Sequence, residues 1–109
     1  MHPKRGEVWW VALDPVVGSE IAKTRPCVVL TQDLVSQYRR TVVVVPLSSS
    51  PAAHPPIMVA VKCVGNAVVA VVDQVRAVSK ERLRNIMGSL GERDMKAIEN
   101  ALKEILDLV

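Results

Sequence analysis

Phenylalanine is missing from this chain, and the aromatic share is 3%, made up of Trp9, Trp10 and Tyr38. A sheet surface that stacks several bases, as RNA-recognition motifs and OB folds use, cannot be built from that stock. Any nucleic acid would have to be held by backbone contacts and pockets. Histidine is nearly as scarce: His2 lies beside the start and His54 among prolines, and no GxSxG is present, so neither a Ser-His-Asp hydrolase nor a two-histidine acid-base pair is indicated. Cys27 and Cys63 have no CxxC spacing and are expected to be buried free thiols in a reducing compartment. No ligand cluster suggests a metal and no glycine-rich loop suggests a nucleotide, so no cofactor is expected. No apolar run approaches the ~20 residues that span a bilayer. The opening MHPKRGEVWW has no signal-peptide core, so the expected setting is cytoplasmic, with no membrane contact.

What is present fits one domain over residues 1–109: 11.9 kDa, half of it apolar, enough for a core but not for two. The net charge of +3 is uneven. Residues 62–90 carry five bases against two acids, whereas residues 91–109 carry three bases against five acids. The positive side therefore precedes the last helix, a balance that permits a polyanionic partner without requiring one.

Periodicity supplies the elements. GEVWWVAL (6–13) alternates as a strand, with Val8, Trp10 and Ala12 on one face and Trp9, Val11 and Leu13 on the other. DPVVGSEIAKT follows without a period and reads as a long loop, a kind usually functional or mobile. RPCVVLT is a second strand, DLVSQYRR a short helix, and TVVVVPL a third strand whose valines suggest burial on both faces. SSSPAAHPP breaks the pattern as a second loop. IMVAVK and AVVAVVDQVRAV form a hairpin around the Gly65-Asn66 step. In DQVRAV, alternation puts Gln74, Arg76 and Val78 on one face. SKERLRNIM reads as a short helix, with KERLR its solvated face. Met95, Ile98, Leu102, Ile105, Leu106 and Val109 recur at helical spacing, with Ser89 and Glu92 spaced as a capping box. Six or so short strands with a terminal helix describe a mainly β fold, a small SH3-like barrel or curled antiparallel sheet with a C-terminal helix packed on it.

Arg25 stands where chemistry would need a fixed cation. Pro26 holds its backbone extended, so the side chain is aimed from a defined point. Its planar guanidinium suits either two phosphate oxygens or a salt bridge at a strand start. Behind it lies a loop holding Ser19, Glu20, Lys23 and Thr24. Glu20 is a base, an ion-pair partner that orients Arg25, or a plain loop carboxylate. Ser48, Ser49 and Ser50 close the valine strand, their hydroxyls facing an anion or satisfying the turn. Gln74 and Arg76 line a groove or a wet edge.

Taken in order, KRGEVWWVALDPVVGSE, TRPCVVL, VVVVPLSS and DQVRAVSKERL resemble the MazF/PemK family of toxin-antitoxin ribonucleases over nearly the whole chain. The resemblance implies a CcdB/PemK-like barrel, a homodimer, and an endoribonuclease that cuts single-stranded RNA (mRNA) at a short sequence without metal. It also implies a cognate antitoxin whose disordered C-terminal segment occupies the RNA groove. The family's catalytic arginine falls on Arg25 and its hydroxyl on Ser48, where relatives commonly have threonine, so that Ser49 competes for the role. Glu20 matches the acid of the first loop and Gln74 a glutamine of the groove strand. RNA contacts are then expected from Lys4, Arg5, Ser19, Lys23, Thr24, Ser49, Gln74 and Arg76, with Arg39 and Arg40 on the same phosphate track. In that scheme Arg25 and Ser48 stabilise the charge of a 2′-hydroxyl attack that leaves 2′,3′-cyclic phosphate and 5′-hydroxyl ends, and Glu20 or water takes the proton. A CcdB-like gyrase poison is the rival reading. The end EILDLV lacks the aromatic and Gly-Ile contacts that such a poison uses. A non-catalytic barrel that binds RNA or protein is another.

Overall fold

Valine-rich segments alternate with turn residues through most of the chain, and in a computed structural model they form seven antiparallel strands, followed by one long helix. The structure describes residues 2–49 and 52–108; Ser50 and Val109, named above, lie outside them. The strands are β1 (Glu7–Ala12), β2 (Thr24–Val29), β3 (Thr41–Ser48), β4 (Met58–Cys63), β5 (Asn66–Val71), β6 (Arg76–Ser79) and β7 (Leu83–Ser89). Helix α1 (Asp33–Tyr38) joins β2 to β3, and α2 (Glu92–Ile105) ends the chain. The strand order is β4-β5-β3-β2-β1-β7, with β6 added on β3. The result is the curled antiparallel sheet with a C-terminal helix that the sequence led us to expect.

Alternation along β1, β2 and β3 sends side chains to two separate cores. Val8, Val28, Val45 and Leu47 meet α2 through Met95, Ile98 and Ala101. On the other face Val11, Leu13, Cys27, Val29, Val42 and Val44 pack with Val78 and Leu83. The valines of β3 are thus buried on both faces, except Val43, which is 38% exposed.

Strand β3 serves two ladders along one edge. Val44 pairs with Arg76 of β6, while Leu47 pairs with Ala70 of β5. Between them Pro46 has no N–H to donate, and the facing chain leaves the ladder as a 3₁₀ turn, Val72–Gln74. The single strand expected over AVVAVVDQVRAV is therefore two strands with a turn between them, and Gln74 sits on that turn rather than on a strand. A second correction concerns SKERLRNIM. Only Lys80–Arg82 makes a 3₁₀ turn, and from Leu83 the chain is strand β7, paired with β1 from Glu7↔Ser89 to Val11↔Leu83. The ladder on β1 outweighs the weak helical spacing. The same ladder takes Ser89, so the capping box does not form: Gly91 is the N-cap of α2 and makes no side-chain cap.

The β4–β5 hairpin turns through Val64 and Gly65, with φ of 51° and 78°, while Cys63 pairs with Asn66. A two-residue turn with both φ positive matches the twist of the strands, although a β-branched residue there is strained. The tip reaches β7: a Cβ on Gly88 would lie 2.8 Å from Val64 Cγ2, so the close approach needs glycine. This contact closes the curl of the sheet over the site described next.

Ile98 is fully buried at the centre of the helix-facing core. Ile98→Ala is expected to cost about 2–5 kcal/mol, from lost transfer energy and the cavity left behind. Urea unfolding checks it: the midpoint falls while the slope stays unchanged.

Candidate active site

The loop between β1 and β2 is built as a compact unit with its ends tied together. Leu13 N–H donates to Lys23 O at 2.9 Å, with Lys23 in the left-handed region at φ 68°. Inside it, Val17 N–H donates to Glu20 Oε1 at 2.6 Å, and Glu20 N–H returns to Val17 O at 3.3 Å. Two arginines clamp the first root. Arg76 donates to Leu13 O at 3.4 Å, and Arg82 donates to Ala12 O at 3.0 Å and to Asp14 O. KERLR is accordingly not a solvated helix face: Arg82 holds the loop root, and Lys80 Nζ donates to Ser36 O.

Beyond this loop Arg25 begins β2 opposite Val11, exposed, its Nε donating to Ala22 O at 3.3 Å. Ser48 ends β3, half-buried and paired with Val69. The two share a cavity of about 260 Å³ and, beside it, a smaller hollow of about 90 Å³ that Ile21 and Leu47 complete. Thr24 and Ser49 also line the larger cavity. Its other walls are Trp10, Cys63, Asn66 and Met87, which the sequence reading did not select. Alternation groups Trp10 with Val8 and Ala12 on one face of β1 but does not mark that face as part of a site. Cys63, Asn66 and Met87 gave no signal, because only the hairpin tip lying against β7 brings them there.

Glu20 is not in that cavity. With Ser19, Gln74 and Arg76 it lines a neighbouring hollow of about 350 Å³, and Ile21 stands between the two. Arg5 and Lys4 lie at the far end of β1. The Arg5 guanidinium is held by Leu30 O and the Glu99 carboxylate, which fixes the N-terminal segment to α2. Lys4 N–H donates to Glu7 Oε1 at 2.7 Å. Arg39 and Arg40 follow α1 and are exposed; none of these four lines the cavity around Arg25. Lys23 is exposed and precedes Thr24 in sequence, but it does not line the cavity.

The chemistry open to the cavity follows from its lining. It holds one permanent cation, Arg25, and the hydroxyls of Thr24, Ser48 and Ser49, with no carboxylate or imidazole among the described residues that line it. Among the described residues no group of three or more His, Cys, Asp or Glu is placed to hold a metal. The thiols do not supply a nucleophile at neutral pH. Burial pushes Cys27 up to about 12, against the opposing pull of the Arg76 charge, and burial also raises Cys63. What remains is electrostatic: a planar cation and hydroxyl donors converging on one small, partly apolar space. Such a set binds an oxyanion and stabilises charge that grows on it.

Residues 4–106 match a family model described as PemK-like, MazF-like toxin of type II toxin-antitoxin system. The chain is 32% identical over 114 residues to the endoribonuclease MazF9 of Mycobacterium tuberculosis, across 96% of this chain and 97% of that protein. It is 29% identical over 110 residues to the endoribonuclease MazF of Staphylococcus saprophyticus, across 96% and 92%. Its fold is similar to the crystal structure of MazF from Deinococcus radiodurans, with a TM-score of 0.86 at 20% identity and 98% of each chain covered. A mycobacterial endoribonuclease solved in complex with its cognate antitoxin gives 0.81 at 21% identity, with 98% and 97% covered.

Both thiols are expected to resist iodoacetamide at about pH 8 in the folded protein and to react once it is unfolded, as read by mass spectrometry. Alkaline stability follows in sign. The unfolded thiol ionises from its ordinary value of 9.0 while folded Cys27 keeps its proton to about 12. Its contribution is therefore complete below pH 9 and is lost as the pH climbs towards 12. Between about pH 8 and 10.5 the native chain should lose on the order of 1–2 kcal/mol more than Cys27→Ala, measured by urea unfolding.

Proposed function

This chain belongs to the family of PemK-like, MazF-like toxins of type II toxin-antitoxin systems, and from that membership we propose that it is an endoribonuclease toxin that cuts single-stranded RNA at Arg25 and Ser48. The observation that carries the reading is the convergence of these two side chains, one from the start of β2 and one from the end of β3, on one cavity free of competing acids. RNA brings its own nucleophile. The 2′-oxygen loses its proton and attacks phosphorus, the bond to the 5′-oxygen breaks, that oxygen takes a proton from water, and the strand parts with 2′,3′-cyclic phosphate and 5′-hydroxyl ends. Arg25 holds the scissile phosphate through paired N–H donors, and the Ser48 hydroxyl donates to the same oxygens as their charge grows. Serine in place of the threonine common at this position keeps the donor.

A guanidinium is always protonated in a protein and does not accept the 2′ proton. The acceptor stands outside the cavity: Glu20, one hollow away with Oε1 engaged by Val17 N–H, or a solvent water. Glu20→Gln separates the two, because it keeps an oxygen for Val17 but loses the base: the rate falls if Glu20 is the acceptor and holds if water is. The described residues that line the cavity include no carboxylate or imidazole, and cleavage is proposed to proceed without a metal. Trp10 and Met87 beside the phosphate site supply apolar surface against which an unpaired base rests, the physical basis for cutting at a short sequence.

Two partners complete the reading. A cognate antitoxin is proposed to lay a disordered segment over the cavity and shut out RNA, in keeping with the antitoxin complex of the mycobacterial relative. A second copy of this chain is proposed to cover β7, which ends the strand order and leaves Ile86 51% exposed. With RNA cutting inside the cell as the activity, the setting is cytoplasmic.

The test is to incubate a long single-stranded RNA with the protein in EDTA, beside Arg25→Ala and Ser48→Ala, and to map the fragment ends. Cuts at a recurring short sequence with cyclic phosphate ends are expected, and each variant should lose about 10²- to 10³-fold in rate. Intact RNA with folded protein would sink the reading and turn attention to gyrase poisoning or to binding without cleavage.

A further inference from the structure

Gln74 was expected to face RNA, but its side-chain oxygen is committed to the protein. Gln74 ends the 3₁₀ turn opposite Pro46, half-buried, and its Oε1 accepts from Ile21 N–H at 2.7 Å. A backbone N–H only donates, so the amide is oriented with its oxygen on the loop. One residue further on, Ala22 O accepts from Arg25 Nε at 3.3 Å. The side chain of Ile21 walls both the hollow that holds Gln74 and the one that holds Arg25 and Ser48. The loop root at Leu13 is clamped by Arg76 and closed onto Lys23 O, so these bonds leave Ile21 and Ala22 to be fixed from elsewhere.

We propose that Gln74 is a positioning residue for Arg25: by holding the amide of Ile21 it fixes the Ile21–Ala22 segment, and Ala22 O then aims the guanidinium into the cavity with Ser48. Arginine is long and rotatable, and an exposed one held at Nε from behind presents its two terminal nitrogens forward, the geometry that a bidentate phosphate contact needs. A shift of ~1 Å in such a group costs up to about 10²-fold in rate. The inference rests on the ribonuclease reading above. It assigns to Gln74 a role in the rate of the chemical step rather than in RNA affinity.

The experiment compares Gln74→Glu with Gln74→Met in the full chain, using a single-site RNA oligonucleotide cut by the native protein. Glutamate keeps an acceptor for Ile21 and loses the amide donors; its charge joins Glu20 and Asp73 in the same hollow, with Arg76 opposing them. Methionine keeps the length and loses the acceptor. Expected for Gln74→Met is a fall in kcat of roughly tenfold or more with KM little changed, while Gln74→Glu stays within about threefold of the native rate. In an Arg25→Ala background Gln74→Met should add no further loss, because its effect runs through Arg25. Amide exchange at Ile21 reads the tether apart from cleavage: slow in the native chain and in Gln74→Glu, faster in Gln74→Met. An unchanged kcat in Gln74→Met, a raised KM with equal losses in both variants, or additive loss on Arg25→Ala would overturn the proposal. Should Gln74→Met not fold, Gln74→Glu decides alone, since an RNA contact through the amide donors fails there and an acceptor role does not. A native chain that leaves RNA intact overturns the ribonuclease reading and this proposal together, whereas an active native chain with an indifferent Gln74→Met overturns this proposal only.

Discussion

Strand β3 is the constraint on which the rest of the molecule depends. One edge pairs with β2, while the other takes β6 along its first half and β5 along its last two residues. A continuous partner is ruled out at Pro46, where there is no N–H to offer. The facing chain must leave the ladder there, and the turn it makes is the one that carries Gln74 out to the β1–β2 loop. Beyond the interruption β5 rejoins β3 at Leu47 and Ser48, and the tip of the β4–β5 hairpin meets β7. A proline inside a strand, ordinarily a defect, here lets one sheet curl into a half-barrel.

The candidate site depends on that curl. Arg25 and Ser48 belong to strands that are neighbours in the sheet, and pairing of Cys27 with Pro46 puts both near one end of the β2–β3 ladder. Neighbouring alone gives two groups on an open surface. The hairpin supplies the opposite wall with Cys63, Asn66 and Val68, and β7 adds Met87, so the pair faces a bounded space with apolar sides. Loop and scaffold divide the remaining work. Arg76 and Arg82 hold one root of the loop, Gln74 the other, and Glu20 closes its interior turn. Gln74, Arg76 and Glu20, which look like substrate contacts in a linear reading, are thus engaged in holding the loop that carries the cation.

Much of the architecture was legible because it rests on local periodicity. β1, β2, β3, both hairpin strands and α2 follow from alternation or from helical spacing, and the long loop follows from the lack of either. The failures share a cause. Residues 79–87 carry helical spacing and charge, yet Leu83 and Ile86 complete a ladder on β1, and that ladder is a contact across most of the chain. Ser89 and Glu92 have the spacing of a capping box, but the same ladder takes the serine. AVVAVVDQVRAV looks like one strand because the reason for its break, Pro46, lies more than twenty residues upstream.

By itself the sequence determined the two-faced valine strands, the amphipathic last helix, the extended backbone at Arg25 and the family to which the order of motifs belongs, since each is a property of neighbours along the chain. Tertiary structure alone decided which polar groups meet. It put Arg25 with Ser48, set Glu20 one hollow away, turned Arg5 to Glu99, and gave Gln74 and Arg82 to the loop. A guanidinium or an amide carries no mark of its partner in the linear order. The partner is chosen by strand pairings that join residues tens of positions apart, and those pairings are settled only when both cores close.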